Sequence, residues 1–383
     1  MSTTDANPAS AAELTAGAGG EADADVTAGL DVGAGLDVGA GLDVGALGRW
    51  MDSQDLPGSG HPVTARLLSG GRQNEIFEVG RGDFRAALRR PPAAAPAERD
   101  AGILREWRII EALTGTDVPV ADAIAVCDDP SVIGRPFYLM DVVDGWSVMS
   151  TPGWWAPPFD QDLEARGDLA YELVDGIARM GAVDWRARGL GDLGRPDGYH
   201  ERQVARWTRF YERIRGREIP GLDEATAWLA CHRPLDFVPG VMHGDYQFPN
   251  VMFRHGTPAR LAAILDWEMG TIGDPKLDVA WALHSWPEDP DGPADHEHLA
   301  GMPPRSKLLA FYAERSGRQV DDFDYYLVLA KWKLAIVLEQ GYQRADGDPK
   351  LEDFGGYVVR YMREAAETAA SSDYPAVPWQ AVQ

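Results

Sequence analysis

Cysteine is scarce in this chain of 383 residues. Only Cys127 and Cys231 occur, far apart in the sequence and without a neighbouring group of histidines and cysteines. This scarcity argues against a disulfide framework and against a zinc site built on cysteines. We therefore expect two buried, unreactive thiols, which is how free cysteines usually behave in proteins.

Long apolar runs are also missing. The best apolar stretch, from Tyr325 to Leu338, is interrupted by Lys331 and Lys333, and the first residues lack a basic segment followed by an apolar one. A membrane span needs about 20 consecutive apolar residues, and a secretory signal needs that N-terminal pattern. We expect a soluble, cytoplasmic protein that does not use a membrane as a partner.

Basic residues are few, with 36 Lys and Arg against 60 Asp and Glu, so the formal net charge is −24. Binding of nucleic acid normally starts from a basic patch that displaces counterions, so we expect no nucleic-acid partner. Lysine is especially rare, and none precedes Lys276. A permanently charged cation in the N-terminal part of the domain, up to about residue 145, must therefore be an arginine.

The first 40 residues are rich in Ala, Gly and Asp. Three tandem copies of the hexad AGLDVG begin at Ala28, Ala34 and Ala40, and the first 40 residues contain seven acidic residues and no Lys or Arg. Three hexads of small residues cannot bury enough apolar surface to offset the entropy of ordering. We predict a disordered leader over residues 1–40 and a folded domain that starts near Gly41.

Residues 41–145 have the pattern of a small sheet with one helix. Short β-rich segments follow one another with Gly or Pro between them, namely VTARLLSG, NEIFEVG, FRAALRR, AIAVCDD and RPFYLMDVV. Between the third and fourth segments, apolar residues three and four positions apart predict a helix from about Ile103 to Leu113. The order does not require a parallel βαβ unit, which favours a separate N-terminal lobe.

Residues 146–383 change to helical patterns around a short β-rich stretch. The apolar periodicity predicts helices over 162–183, 198–214, 222–232, 305–316, 323–343 and 354–370. The β-rich stretch contains the segments VMHGDYQFPNVMF and RLAAILDWEMG, with most of the polar residues that could be catalytic. The fold class predicted is therefore α+β, with a small antiparallel N-terminal lobe and a mostly helical C-terminal lobe.

Three polar residues of the β-rich stretch have the spacing of a phosphotransfer site. Asp245 precedes Asn250 by five positions, and Asp266 follows sixteen positions later at the end of an apolar strand. Phosphoryl transfer requires a group that orients a hydroxyl and accepts its proton, and oxygen ligands that hold magnesium on the phosphates. Asp245 could be the base, with Asn250 and Asp266 as metal ligands. The alternative is that Asp245 and Asn250 only form a turn.

The N-terminal lobe offers complementary residues for a nucleotide. Gly70 and Gly71 lie between two strand patterns, where a hairpin could approach phosphates closely. Arg89 ends the third strand and Glu106 lies on the following helix, as expected for a cation on the phosphates and a carboxylate that orients it. A plain hairpin turn and a surface Arg89–Glu106 ion pair are the alternatives.

These motifs together resemble the aminoglycoside phosphotransferase and choline kinase superfamily. The resemblance covers about residues 41–370 and is carried by LSGGRQNEIFEV, LRRPP, FYLMDVVDG, HGDYQFPNVMF and ILDWEMGTIGDPKLDVAW. The last motif is most similar to the branch that also occurs fused to acyl-CoA dehydrogenases. The resemblance implies a two-lobed protein-kinase-like fold that binds ATP and Mg²⁺.

The resemblance also implies residue roles. Asp245 would be the catalytic base, and Asn250 and Asp266 would hold magnesium. Nucleotide binding would involve the following set: Gly70, Gly71, Asn74, Arg89, Glu106 and the backbone of Asp141 and Val143. Arg89 with Glu106 would replace the lysine–glutamate pair of the better-known antibiotic kinases, and Asp278 would anchor the catalytic loop.

The activity expected is transfer of the γ-phosphate of ATP to a hydroxyl group of a small molecule. The acceptor could be a hydroxylated acyl compound or an aminoglycoside-like metabolite, and the dehydrogenase-fused branch favours acyl compounds. Two segments resemble substrate lids, WSVMSTPGWWAPPFD and HSWPEDPDGPADHEH. A nucleotide-binding regulatory module without turnover is the rival interpretation, since arginine replaces lysine. Protein kinase activity is disfavoured because Trp267 and Glu268 follow Asp266 where protein kinases have Phe-Gly.

Overall fold

The structure is a computed structural model that describes residues 41–70, 74–286, 288 and 297–377. The leader predicted over residues 1–40 lies outside the described residues. Clustering of contacts divides the chain into two compact units. Within the described residues, the first unit contains 41–144 and Ala262–Glu268, and the second contains Gly145–Leu261 and the part that starts at Met269.

The first unit is built on a five-stranded antiparallel sheet. Its strands are β1 (Thr64–Gly70), β2 (Glu75–Arg81), β3 (Phe84–Arg90), β4 (Ala123–Cys127) and β5 (Phe137–Met140). Their order in the sheet is β1-β2-β3-β5-β4, and every neighbouring pair is antiparallel. The five strands predicted from the alternating segments are confirmed, and so is the antiparallel sheet.

Two helices accompany this sheet. Helix α1 (Val44–Ser53) begins at Asp43, whose side chain accepts a hydrogen bond from the Ala46 N–H at 2.8 Å and so satisfies one of the unpaired donors of the first turn. Its Leu47 and Met51 are completely buried in a cluster with apolar residues of the strands. Helix α2 (Glu98–Leu113) starts one turn before the predicted position.

The second unit is mainly helical. Within the described residues its helices are α3 (Leu163–Ala182), α4 (Tyr199–Ile214), α5 (Leu222–Cys231), α6 (Lys276–Leu283), α7 (Arg305–Ser316), α8 (Phe323–Gln343) and α9 (Pro349–Ser371). Helix α8 forms the centre of this unit, since 16 of its 21 residues are buried. The mixed α+β class is confirmed.

Four short strands flank the loops that contain Asp245, Asn250 and Asp266. They are β6 (Gly240–Met242), β7 (Val251–Phe253), β8 (Leu261–Ile264) and β9 (Thr271–Gly273). Strands β6 and β9 pair antiparallel, with Val241 opposite Ile272. The Arg254 N–H donates to the Arg260 carbonyl at 2.9 Å, which closes the turn after β7.

Three expectations about local structure were wrong. Helix α9 begins at Pro349 rather than at Phe354, and α6 was not predicted at all, because its eight residues are almost all buried and show no amphipathic period. Cys127 is buried as expected, but Cys231 is exposed, because it is the last residue of α5. None of the described helices is long and apolar enough to cross a membrane.

Candidate active site

The loop after β6 is fixed by a buried carboxylate from α6. Asp278 Oδ2 accepts a hydrogen bond from the His243 N–H at 2.6 Å, and Oδ1 accepts one from the Gly244 N–H at 2.9 Å. Burial raises the pKa of Asp278 to about 6, although the two N–H donors oppose the rise. Asp278 therefore holds the start of the loop, which is the anchoring role that the resemblance implied.

Gly244 is required for the sharp turn that follows. Its φ of +87° lies in the left-handed region, and a Cβ atom there would lie 2.8 Å from the Met269 carbonyl oxygen. A side chain at this position would force either the loop or the backbone at Met269 to move. The turn brings the next residue, Asp245, into the buried position described below.

Asp245 is 2% exposed and its carboxylate is held by three donors. Trp281 Nε1 and Gln247 Nε2 both donate to Oδ1 at 2.8 Å, and Asn250 Nδ2 donates to Oδ2 at 2.9 Å. Such charge-assisted hydrogen bonds fix the direction of the carboxylate. The arrangement produces a buried carboxylate of fixed orientation.

Asn250 is tied to Asp245 twice. Its Nδ2 donates to the Asp245 backbone oxygen at 2.8 Å as well as to the carboxylate, which the intervening 3₁₀ turn Phe248–Asn250 makes possible. Because the amide nitrogen points at Asp245, the amide oxygen is the atom that could ligate a metal. The spacing of five residues thus corresponds to a direct contact of the two side chains.

Sequence reasoning missed Trp281 and Gln247. Trp281 lies in the segment LDVAW and Gln247 in HGDYQFPN, so both were inside motifs already singled out. The signal that could have found Trp281 is its polar N–H in a short helix that also carries Asp278, since a buried indole N–H needs an acceptor.

In the first unit, Arg89 is the centre of a second charged cluster. Its Nε lies 3.1 Å from Glu106 Oε2, and its Nη2 lies 2.9 Å from Asp266 Oδ1. Arg89 is 9% exposed and Glu106 is 2% exposed, so the pair is buried rather than on the surface. All three residues were identified from the sequence as candidates. The contact between Arg89 and Asp266, which lie 177 positions apart, was not predicted.

Asp266 has an unusual backbone. Its φ is +59°, a conformation that non-glycine residues rarely adopt and that stores strain. The next N–H, that of Trp267, donates to Glu106 Oε1 at 3.3 Å, and the Trp267 ring is buried. Glu106 therefore supports both Arg89 and the turn that presents the Asp266 carboxylate.

The cluster around Arg89 contains more acidic than basic side chains. Burial raises the pKa of Glu106 to about 7 despite the adjacent Arg89, and burial together with Asp266 and Glu106 raises the pKa of Glu268 well above its usual value. Glu268 Oε1 is buried, with no hydrogen-bond partner in the described part of the chain. The oxygen atoms of Asp266 and of these acids are hard donors, the type of ligand that binds cations such as magnesium.

Of the predicted pair Gly70 and Gly71, the structure describes only the first. Gly70 ends β1, where it pairs with Glu75 of β2, while Gly71 lies outside the described residues. Asn74 is half-buried and directly precedes β2. The two strands form the predicted antiparallel pair, which leads into and out of residues 71–73.

The segment after β5 contains the backbone groups proposed to pair with adenine. The Asp141 N–H donates to the Asp122 carbonyl at 2.9 Å, so this donor is already used. The Asp141 carbonyl and the Val143 backbone are the groups that could meet a base. Both residues belong to the first unit, which ends at Asp144.

The first of the two lid-like segments is packed rather than open. Trp146 and Trp155 are each 4% exposed, and their ring centroids lie 6.3 Å apart in an edge-on contact. Trp155 also meets Phe248, in the loop between β6 and β7, edge-on at 5.1 Å. Most of the second segment, residues 287 and 289–296, lies outside the described residues.

A cleft of about 520 Å³ in the second unit contains no candidate site residue. It is bordered by ion pairs such as Arg179 and Arg315 with Asp175. We place the site by the hydrogen bonds of Asp245 rather than by this cleft, because its charged groups already neutralise one another. Nowhere in the described chain do three or more His, Cys, Asp or Glu side chains form a ready metal site.

A comparison with family models decides the assignment. Residues 64–309 match the model described as the phosphotransferase enzyme family. This chain belongs to that family. Its membership supports phosphotransfer to a small molecule as the chemistry.

Curated relatives of this phosphotransferase family member are acyl-CoA dehydrogenase family proteins. Member 10 of Mus musculus is 30% identical over 74% of this chain and 27% of its own length, and member 11 of Gallus gallus is 30% identical over 74% and 37%. The chain thus spans only about a quarter to two fifths of the relatives that it matches.

Solved structures support the kinase-like fold. A Ralstonia eutropha protein assigned to the aminoglycoside phosphotransferases is 32% identical, with a TM-score of 0.74 over 88% of this chain and all of that one. An aminoglycoside phosphotransferase in complex with ADP and hygromycin B has a TM-score of 0.54 at 13% identity, over 85% of this chain and 98% of that one. The second similarity concerns the fold alone.

Proposed function

We propose that this protein is an ATP- and Mg²⁺-dependent kinase that phosphorylates a hydroxyl group of a small molecule. The observation that carries the proposal is the Asp245 carboxylate, which is buried and fixed by Trp281, Gln247 and Asn250. Phosphoryl transfer gains mainly from positioning and electrostatics, so a base of fixed direction is the expected component.

Asp245 would accept the proton of the acceptor hydroxyl as that oxygen forms its bond to the γ-phosphorus and the bond to the β-phosphate oxygen breaks. Trp281 and Gln247 would keep Oδ1 in place, so Oδ2 would remain the atom nearer to Asn250. Asp278 would keep the loop in register through the His243 and Gly244 N–H groups. None of these residues needs to move for the proton transfer.

The donor chemistry fits magnesium. An amide oxygen at Asn250 and a carboxylate at Asp266 are hard ligands, and magnesium usually takes one or two protein carboxylates with phosphates and water for the rest. The absence of a larger ligand cluster in the described residues is therefore compatible with such a site. The ion would neutralise charge on the β- and γ-phosphates when bound.

Arg89 would hold phosphate oxygens, with Glu106 orienting its guanidinium. The β1–β2 hairpin with Gly70, Gly71 and Asn74 would cover the phosphates through backbone groups. Adenine would pair with the backbone of Asp141 and Val143. These nucleotide contacts are proposals drawn from the motifs and from the positions of the residues in the first unit.

The acceptor that we propose is a hydroxylated acyl compound or an aminoglycoside-like metabolite. The acyl-CoA dehydrogenase family relatives favour the acyl compound, because proteins that contain a region similar to this chain are named for acyl-CoA chemistry. Purified protein should be screened for ADP formation with ATP, Mg²⁺ and a library of hydroxylated metabolites and antibiotics. ADP release that depends on one acceptor class, and disappears in EDTA, is the expected result.

A regulatory module without turnover is the second candidate. It is favoured by one observation, the hydrogen bond from Arg89 Nη2 to Asp266 Oδ1, which engages the carboxylate proposed for magnesium. If this contact persists with nucleotide bound, ATP would bind without becoming reactive. Tight ATP binding without ADP formation across the library would support this candidate over the kinase.

Replacing Arg89 by Ala is expected to weaken ATP binding more than adenosine binding, since adenosine has no phosphate. The variant should also lose about 3–5 kcal/mol of stability, because it leaves the buried Glu106 charge without its partner. Arg85→Ala on the same strand is the matched control. Arg85 is exposed, so it should change stability by no more than about 0.5 kcal/mol.

Calorimetric titration with both ligands and thermal unfolding measure these effects. The Arg89→Ala/Glu106→Ala double variant should cost less ATP affinity than the two single changes added together, because the residues act as one unit. Arg89→Lys keeps the charge but loses the planar fork, so partial binding would assign most of the effect to charge. Equal losses for ATP and adenosine would instead mean that Arg89 has a structural role only.

A further inference from the structure

Lys333 of α8 has an unusual environment for a lysine. Its Nζ lies 5.0 Å from the ring centroid of Trp207 and 5.5 Å from that of Trp281, both within the range of a cation–π contact. No carboxylate in the described part of the chain lies within ion-pair distance of this ammonium. Lys331, two residues earlier, shows the usual alternative, an ion pair with Glu364 at 2.8 Å.

The same tryptophan connects Lys333 to the proposed base. Trp281 donates its ring N–H to Asp245 Oδ1 at 2.8 Å, while its ring also faces the Lys333 ammonium. Burial and the charge of Arg206 lower the pKa of Lys333 to about 8, although Asp278 and Asp245 oppose the decrease. The ammonium therefore stays mainly protonated at neutral pH, within electrostatic reach of Asp245.

Aromatic rings stabilise the charge of Lys333, and among the residues that the structure describes none accepts a hydrogen bond from its ammonium. An ammonium has three N–H donors, and the faces of two indole rings offer no oxygen acceptor. Lys333 as a whole residue is partly exposed, unlike its buried neighbours Trp332 and Leu334. A partly buried cation with open donors beside a catalytic base favours an oxyanion and repels a second cation.

We propose that Lys333 binds an anionic group of the acceptor, so that the preferred substrate is a hydroxylated carboxylate or phosphate compound and not a polycationic aminoglycoside. This inference rests on the proposed function, because it takes the surroundings of Asp245 as the acceptor site. The opposing observation is the net charge of −24, which attracts polycations at long range. Salt screens that attraction beyond about 10 Å, whereas the ammonium acts at contact distance.

Chemical protection tests the inference without requiring turnover. The full-length protein is acetylated with N-hydroxysuccinimidyl acetate, and mass spectrometry follows each of its five lysines. The anionic probes are 3-hydroxybutyrate, 6-hydroxyhexanoate and glycerol 3-phosphate, and their neutral counterparts are 1,3-butanediol, 1,6-hexanediol and glycerol. An anionic probe at about ten times its dissociation constant should slow acetylation of Lys333 about tenfold.

The ion-paired Lys331 is the internal control, and its acetylation rate should not change. Protection by neutral and anionic partners alike, or by none of the anionic probes, would overturn the inference. Protection by inorganic phosphate and by ATP but by no anionic hydroxyl compound would also overturn it, because Lys333 would then bind the transferred phosphoryl group. These outcomes can be read even if the protein proves to have no kinase activity.

Turnover supplies the second test for any matched pair of acceptors that the enzyme phosphorylates. Lys333→Met should lower kcat/KM for the anionic acceptor about tenfold relative to the neutral one, which is the usual value of one hydrogen bond to a charged group. Lys333→Arg should restore most of the preference, and Lys331→Met should leave it unchanged. An unchanged preference in Lys333→Met, with kcat lowered equally for both acceptors, would assign Lys333 to positioning of Trp281 and Asp245.

Discussion

Asp245→Asn is expected to lower kcat by about 100-fold or more, since a positioned general base contributes about 10² to 10⁴ to the rate. The asparagine keeps the size of the side chain and can still accept from Trp281 and Gln247 through its oxygen. Its new amide group cannot take the proton of the acceptor. Steady-state kinetics with the acceptor found by screening measures the loss.

The Asp245→Asn amide would also face Asn250 Nδ2, where donor meets donor. The Asn250 side chain is therefore expected to rotate. ATP affinity of Asp245→Asn and of the parent protein should be compared first without Mg²⁺, and it should then differ little. Trp281→Phe is a useful companion, because it keeps a ring while removing one donor to Asp245. It should reduce kcat about tenfold, the usual effect of one charge-assisted hydrogen bond. Full activity in Asp245→Asn would place the base elsewhere.

Asp266→Asn is expected to abolish the magnesium-dependent gain in ATP affinity and to lower kcat on the order of 100-fold. Asparagine tolerates the positive φ of +59° better than most residues and can still accept from Arg89. The change therefore removes the charge that would bind magnesium in the proposed site while keeping the turn. Titration calorimetry of ATP with and without Mg²⁺ isolates this effect.

Asp83→Asn is the matched control for Asp266→Asn, since Asp83 is exposed in the first unit and should show the parent behaviour. The assignment of Asp266 is contradicted if the mutant and the parent gain equal ATP affinity on addition of Mg²⁺. Such a result would favour the regulatory interpretation, in which the Arg89 contact already satisfies this carboxylate.

The sheet of the first unit could be predicted well from the sequence because its local signals agree. Each of the five strands is a short β-rich segment bounded by Gly or Pro, and these breaks fix where a strand can start and stop. Helix α6 has no such signal. Its residues pack on all sides, so the apolar period that reveals a surface helix is missing.

The candidate site was predictable as a set of chemical types but not as a set of contacts. Asp245 and Asn250 were paired by their spacing, and the structure shows the direct hydrogen bond between them. The contact between Arg89 and Asp266 joins residues 177 positions apart, and only the fold brings them together. Trp281 was missed because tryptophans in apolar helices are usually core residues, and its N–H partner cannot be read from the sequence.

The surroundings of Lys333 could not be predicted from the sequence either. In the sequence it is a charge that interrupts an apolar helix, equivalent to Lys331. Only the packing of α8 distinguishes the two lysines, since one meets Glu364 and the other meets two indole rings. The acceptor preference inferred from Lys333 therefore depends on tertiary structure rather than on any motif.

The most direct test of the central claim follows the γ-phosphate itself. Purified protein is incubated with γ-labelled ATP, Mg²⁺ and the acceptor found by screening, and the label is traced to the acceptor, to water or to the protein. Kinase activity predicts that the label appears as a phosphate monoester of the acceptor in the parent protein and that this product is nearly lost in Asp245→Asn. Bound ATP whose label never reaches a small molecule would contradict the claim.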